Sequence, residues 1–257
     1  HKPGENTGAC IGGFAEWTTG GELIGRGDFR GGWGHDFPYS VFFCARFDKP
    51  VERGLVADEA GPCAGTVVCG KHCRAVAVFG EVGEVNMQVG ISYVSIAKAR
   101  ASLDREATGM SFDKLRDRAE DVWTAALSRI EVEGGTDTQR TLFYTLMMRL
   151  LTMPTDLGTD DEFNLWKSGV RQFSDFYCLW DSVRNANSLI GLFAPEMEAA
   201  FLNCLLDIAE HTGWLPDAWI AGHSAMIQGG SSADVLLCEA ALKGIKGIDY
   251  EKALRQM

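Results

Sequence analysis

The chain has 257 residues, 46% of them hydrophobic, and 35 acidic against 24 basic side chains give a formal net charge of −11. That length can bury a substantial core as one large domain or two modest ones, and acids spread along the chain without clustered Lys and Arg exclude nucleic acid as a partner. No run approaches the roughly 20 apolar residues that a membrane span needs, and the chain opens at His1-Lys2-Pro3 without Met, which leaves room for a leader removed upstream.

The first hundred residues are rich in Gly and aromatic residues and show strand periodicity. Runs bounded by Gly, Pro or Asp predict strands over Tyr39–Phe47, Thr66–Cys69 and Arg74–Phe79. Val85, Met87, Val89, Ile91 and Tyr93 then alternate with Asn86, Gln88, Gly90 and Ser92, the pattern of a half-buried antiparallel strand. Residues 1–97 read as part of an antiparallel β-sandwich, and 98–110 as a linker helix.

The period then changes. Behind a Ser111 cap, Phe112, Leu115, Val122, Trp123, Leu127 and Ile130 fall at helical spacing. Thr136 and Gln139 form a capping box for a second helix carrying Leu142, Phe143, Leu146, Met147, Leu150 and Leu151, which Pro154 ends. Further helices are expected around Leu179–Leu192, from Glu196 to His211 before Gly213, from Ser231 to Gly244, and from Asp249 onward. No strand signal returns after Ser111, so residues 111–257 predict an array of α-hairpins that stops in mid-helix, with both chain ends inside domains.

Eight cysteines are present: Cys10, Cys44, Cys63, Cys69, Cys73, Cys178, Cys204 and Cys238. The Cys63, Cys69 and Cys73 run encloses His72, but zinc ligands usually come in two matched pairs two to four residues apart. One or two disulfides in the first half are expected instead. Cys178, Cys204 and Cys238 lie on helical patterns and read as small buried hydrophobes.

At this point the chain resembles glycoside hydrolase family 92. The residues that carry the resemblance are Gly90-Ile-Ser-Tyr-Val-Ser95 with Ala99, Leu103 and Glu106; Arg140-Thr-Leu-Phe-Tyr-Thr145; Asp175-Phe-Tyr-Cys-Leu-Trp-Asp-Ser-Val-Arg184; Gly213-Trp-Leu-Pro-Asp217; and Gln228-Gly-Gly-Ser-Ser-Ala-Asp234 through Lys243-Gly244. The blocks occur in the family's order. The resemblance implies a β-sandwich followed by an (α/α)6 catalytic barrel, incomplete in this chain, whose first helices are residues 111–257. It also implies calcium-dependent, inverting hydrolysis of terminal α-linked mannose, α-1,2 linkages foremost, by a secreted protein acting on mannose-containing glycans. Ser232, Glu239 and Trp219 depart from the usual Asn, Asp and Arg. The family's general acid, base and most calcium ligands lie in later motifs, so the resemblance names no catalytic residue here. The remainder of the polypeptide is therefore a required partner. The alternative is a non-catalytic, carbohydrate-binding relative.

An inverting glycosidase needs two carboxyl groups roughly 6.5 to 9.5 Å apart, and sugar recognition separately needs hydroxyl acceptors beside an aromatic face. Trp180, Asp181 and Arg184 fit the second need, because Asp and Arg three apart share a helix face. The plain alternative is an ion pair of Asp181 with Arg184 and a core role for Trp180. Gln228, Gly229, Gly230 and Asp234 lie at the start of a helix, where a Gly-Gly turn admits a ligand close to the backbone or Ser231 or Ser232 simply caps. Thr155–Glu162 offers carboxylates without an EF-hand pattern and reads as a solvated loop. His35, His72, His211 and His223 have no Cys or Ser partner at a telling spacing and read as surface or structural.

Overall fold

The computed structural model describes residues 9–31, 38–159, 166–176, 178–220, 222–225 and 230–257. The chain divides into two compact units, His1–Arg116 and Asp117–Met257.

The first unit holds β1 (Ala9–Trp17), β2 (Leu23–Arg30), β3 (Tyr39–Phe47), β4 (Arg53–Asp58), β5 (Gly61–Cys63), β6 (Val67–Cys69), β7 (Arg74–Val78), β8 (Met87–Ser92) and α1 (Ile96–Glu106). They form an antiparallel sheet in the order β6-β1-β2-β3-β8 and a smaller one in the order β5-β4-β7. Ala15, Trp17, Val56 and Val68 make the core between them, and the Trp17 indole N–H donates to the Leu55 carbonyl at 3.1 Å. Gly54 is required there, since a Cβ would lie 2.5 Å from the Trp17 ring.

On β8 the structure reverses the expected use of the alternating faces. Met87, Val89 and Ile91 are exposed, while Gly90 and Ser92 are buried. The cause is α1, which crosses this side so closely that a Cβ on Gly90 would sit 2.2 Å from the Ala99 carbonyl oxygen. Gln88 adds to the contact by donating to the Ala107 and Met110 carbonyls, each at 2.9 Å. Glu22 ties β2 to β3 and α1, accepting from Arg46 Nε at 2.6 Å and from Arg100 Nη2 at 2.8 Å. The Arg100 hydrogen bond, foremost, holds its carboxyl below the usual glutamate value.

None of the eight thiols is bridged. The disulfides expected in the first half do not form: Cys73 Sγ lies 3.3 Å from the Gly70 carbonyl, Cys10 Sγ 3.4 Å from that of Gly12, and Cys63 Sγ 3.8 Å from that of Gly61. No group of three His, Cys, Asp or Glu suited to a metal occurs among the described residues.

Helix α2 (Phe112–Leu127) crosses the division between the units. The second unit continues with α3 (Asp137–Leu150), β9 (Thr155–Gly158), β10 (Gln172–Ser174), α4 (Leu179–Ser182), α5 (Ala186–Phe193), α6 (Pro195–Thr212), β11 (Trp219–Ile220), β12 (His223–Ser224), α7 (Ser232–Lys243) and α8 (Tyr250–Gln256). The expected capping box is present, with Thr136 N–H donating to Gln139 Oε1 at 2.8 Å and Gln139 N–H to Thr136 Oγ1 at 3.3 Å. Gly213 and Gly244 end α6 and α7 in the left-handed conformation, φ 93° and 69°.

Three expectations need correction here. The ribbons β9-β10 and β11-β12 do follow residue 111, but each has only two strands and links helices. Thr155–Gly158 is thus strand rather than loop, pinned where Asp156 Oδ1 accepts from Arg171 Nε at 2.9 Å; residues 160–162 of that stretch lie outside the described residues. The helix expected over 179–192 breaks at Val183–Asn185, because Asn185 leaves helical conformation (φ −152°) at the N-cap position of α5, where its side chain makes no capping bond.

The second core gathers on α6, which buries ten residues, among them Phe201, Leu202, Leu205, Leu206 and Ile208. Cys204 joins it, and burial pushes that thiol up to about 12. Cys178 is only half-buried and Cys238 is exposed, since the buried stripe of α7 runs through Ala233, Leu236, Leu237 and Ala240 and misses it. By contrast α2 buries nothing and α3 only Met147, so Leu142 and Leu146 stand uncovered.

Two acids lie in the α6 core. Asp207 accepts from Ser168 Oγ and Gln172 Nε2, each at 2.8 Å. Glu198 is contacted by Asn187 Nδ2 at 3.2 and 3.3 Å, and burial, aided by Glu239 and opposed by Asn187 and Lys243, raises its carboxyl from 4.5 to about 7. A raised folded-state value favours the fold most below 4.5, and this contribution is lost as pH rises from 4.5 to about 7. Its size is roughly 3 kcal/mol. Thermal unfolding of the wild type should therefore show stability falling across that window, and Glu198→Gln should flatten the profile. In the first unit, Gly90→Ala should cost about 2 kcal/mol or more, because backbone must shift to admit the methyl group. Urea unfolding read out on the β-unit checks this.

Candidate functional site

The strand-like segment after Gly213 sets the site. Pro216, Ala218 and Trp219 are buried, and two backbone bonds zip this segment to the one preceding α4: Trp219 N–H donates to the Phe176 carbonyl at 2.9 Å and Leu179 N–H to the Asp217 carbonyl at 3.1 Å. Phe176 and Trp219 form an antiparallel bridge. Phe176 packs edge-on against Phe201 of α6, with ring centroids 5.2 Å apart, and Leu179 is buried beside them. Asp175 makes the turn into this segment at φ 62°, a left-handed conformation that Asp tolerates better than most residues.

With Leu179 anchored inward, the next side chains face out. Trp180 is 38% exposed, not core, and Asp181 is exposed, its N–H donating to the Cys178 carbonyl at 3.2 Å. Arg184 is exposed in the turn after α4, and no ion pair joins it to Asp181 among the described residues. The break in the helix is the reason: Arg184 does not continue the α4 face. The Cys178 thiol is raised, chiefly by burial, with the negative charges of Asp181 and Asp217 adding and a hydrogen bond with Trp180 opposing. Both carboxylates thus act on one small region beside the Trp180 indole.

Asp217 closes the Gly213–Asp217 block, and its sequence context alone assigns it no role. The structure singles it out: both carboxylate oxygens are enclosed, and neither has a hydrogen-bond partner among the described residues. Burial alone raises its carboxyl above the usual aspartate value. Only the Pro216-Asp217 stretch after a helix-ending Gly hinted at a fixed backbone here, and nothing local signalled an unpaired acid.

On α7, Asp234 is half-buried in the first turn and Ser231 makes no side-chain capping bond, so simple capping by Ser231 is not realised. Gln228 and Gly229 lie outside the described residues. Glu239 is taken up structurally by Ser188 and Lys243. His211 stacks on Trp166, with centroids 4.6 Å apart, and sits 2.8 Å from the Asp207 carbonyl; His72 pairs with Glu59 at the surface. A cleft of about 690 Å3 in the first unit, lined by Phe47, Met87, Gln88 and Phe112, contains none of these candidates.

Residues 98–257 match the glycosyl hydrolase family 92 catalytic domain. The chain belongs to that family. It is similar to the family GH92 alpha-mannosidase BT3965 from Bacteroides thetaiotaomicron, with a TM-score of 0.86 and 24% identity over 97% of this chain and 35% of that one. The inverting mannosidase BT2199 of the same bacterium gives 0.83 and 23% over 96% and 35%. An uncharacterized secreted glycosidase of Arthroderma benhamiae is 28% identical over 66% of this chain and 19% of its own length. The chain thus spans about a third of the solved structures and a fifth of the curated relative that it matches. The fold is the expected one, an antiparallel β part followed by the helices of an α/α barrel.

Because Asp181 is exposed and has no ion-pair partner among the described residues, Asp181→Asn should change the stability of the intact protein by no more than a surface substitution does, within about 0.5 kcal/mol. Differential scanning calorimetry of both forms checks it.

Proposed function

We propose that the intact protein carrying this chain removes terminal α-linked mannose, α-1,2 linkages foremost, from glycans outside the cell. The chain supplies part of the wall that holds the sugar. Family membership supports glycoside hydrolysis, and the observation that carries the assignment to this region is a half-exposed Trp180 adjacent to an exposed carboxylate, Asp181, that has no ion-pair partner among the described residues. An indole face packs on the C–H side of a pyranose while a carboxylate accepts from its hydroxyls. Arg184, Gln228, Gly229 and Asp234 are proposed as further sugar contacts on the strength of the motif blocks. No helix among the described residues is long and apolar enough to cross a membrane, and the Arthroderma benhamiae relative is called secreted.

Inversion and calcium dependence are part of the proposal. The described residues do not themselves offer a calcium site, since no three suitable side chains converge. Ligands from other parts of the protein would have to hold the ion, as would the general acid and base, and no step is assigned to residues of this chain beyond binding and orienting the sugar.

Release of mannose from α-linked mannobiosides by the intact protein, with and without a chelator, tests the reading. Activity abolished by chelator and restored by Ca2+ is the expected result; no mannose under either condition favours a non-catalytic sugar-binding relative. Asp181→Asn should lower kcat/KM by about one to two decades, the worth of a hydrogen bond to a charged acceptor at roughly 1.5 to 3 kcal/mol. Unchanged kinetics would remove Asp181 from the site.

A further inference from the structure

We propose that Cys178 is a positioning residue for the sugar-binding indole: its sulfur accepts the Trp180 indole N–H and so sets the plane of the ring on which the pyranose packs. The proposal rests on the sugar-binding reading of Trp180 and gives a role to a thiol to which the family blocks assigned none.

Three observations meet at this residue. An indole has one polar group, an N–H that only donates, so in the side-chain hydrogen bond between Trp180 and Cys178 the sulfur is the acceptor. Cys178 stands at the N-cap of α4, where Ser, Thr, Asp or Asn would turn its side chain to the helix backbone; its sulfur makes no such bond and is left to the indole. Finally, Trp180 is 38% exposed, so core packing does not by itself hold the ring, and Cys178 is only half-buried, so filling core volume does not account for it.

Stacking on a pyranose needs a defined ring plane. A ring free to change rotamers must be immobilised when the sugar binds, and a bond already made in the free protein lowers that cost. Sulfur is a weak acceptor, so the effect is severalfold and not several decades. The indole meets the sugar in the ground state and the transition state alike, which places the effect in KM and not in kcat.

The test uses the intact protein, with KM and kcat on an α-mannobioside and melting temperature on the same preparations. Cys178→Ala should raise KM about threefold to tenfold with kcat held. Cys178→Val, which fills the space of the thiol and offers no acceptor, should do the same. Trp180→Phe keeps an aromatic face without an N–H, so in that background Cys178→Ala should add nothing. A packing role predicts otherwise: Val would restore the parental KM, and the loss in Cys178→Ala would carry over undiminished into the Trp180→Phe background. Either result overturns the inference, as does a parental KM in both thiol variants, and the function stands so long as Trp180→Ala is impaired. If Trp180→Ala leaves KM and kcat unchanged, the sugar-binding reading of Trp180 falls and the inference with it. A parent that neither cleaves nor binds the mannobioside overturns both.

Discussion

Helix α6 buries ten of its eighteen residues, and polar groups on that buried side cannot be left to water. Its two enclosed acids must be met by neighbours. Asp207 is met by Ser168 and Gln172, and Glu198 by Asn187, so these bonds fix the 168–174 segment and α5 against the helix. With β10 held, Phe176 is brought edge-on to Phe201 and Leu179 falls into the core. Burial of Leu179 is what turns Trp180 and Asp181 outward. The same frame receives the 217–219 segment through its bonds to Phe176 and Leu179, so the two candidate carboxylates inherit their positions from one buried helix.

The acids around α6 fall into two kinds. Asp207 has its partners supplied, and Glu198 eases its burial by holding a proton up to about pH 7. Asp217 has no hydrogen-bond partner among the described residues, and its raised value is due to burial.

What could be read in the sequence was whatever neighbouring residues decide among themselves. The capping box at Thr136 and Gln139, the left-handed glycines Gly213 and Gly244, and the Asp249 cap, which accepts from Lys252 N–H at 2.9 Å, are settled within one helical turn. On β8 the alternation correctly separates two faces, but which of them is covered depends on α1, and the small Gly90 outweighs three apolar residues because it alone lets the helix approach. The break at Asn185 was hidden because Leu189 and Ile190 continue the apolar period across it. In the candidate site, Trp180 and Asp181 were legible as a motif, whereas the isolation of Asp217 is a property of everything that fails to touch it. No local pattern encodes that.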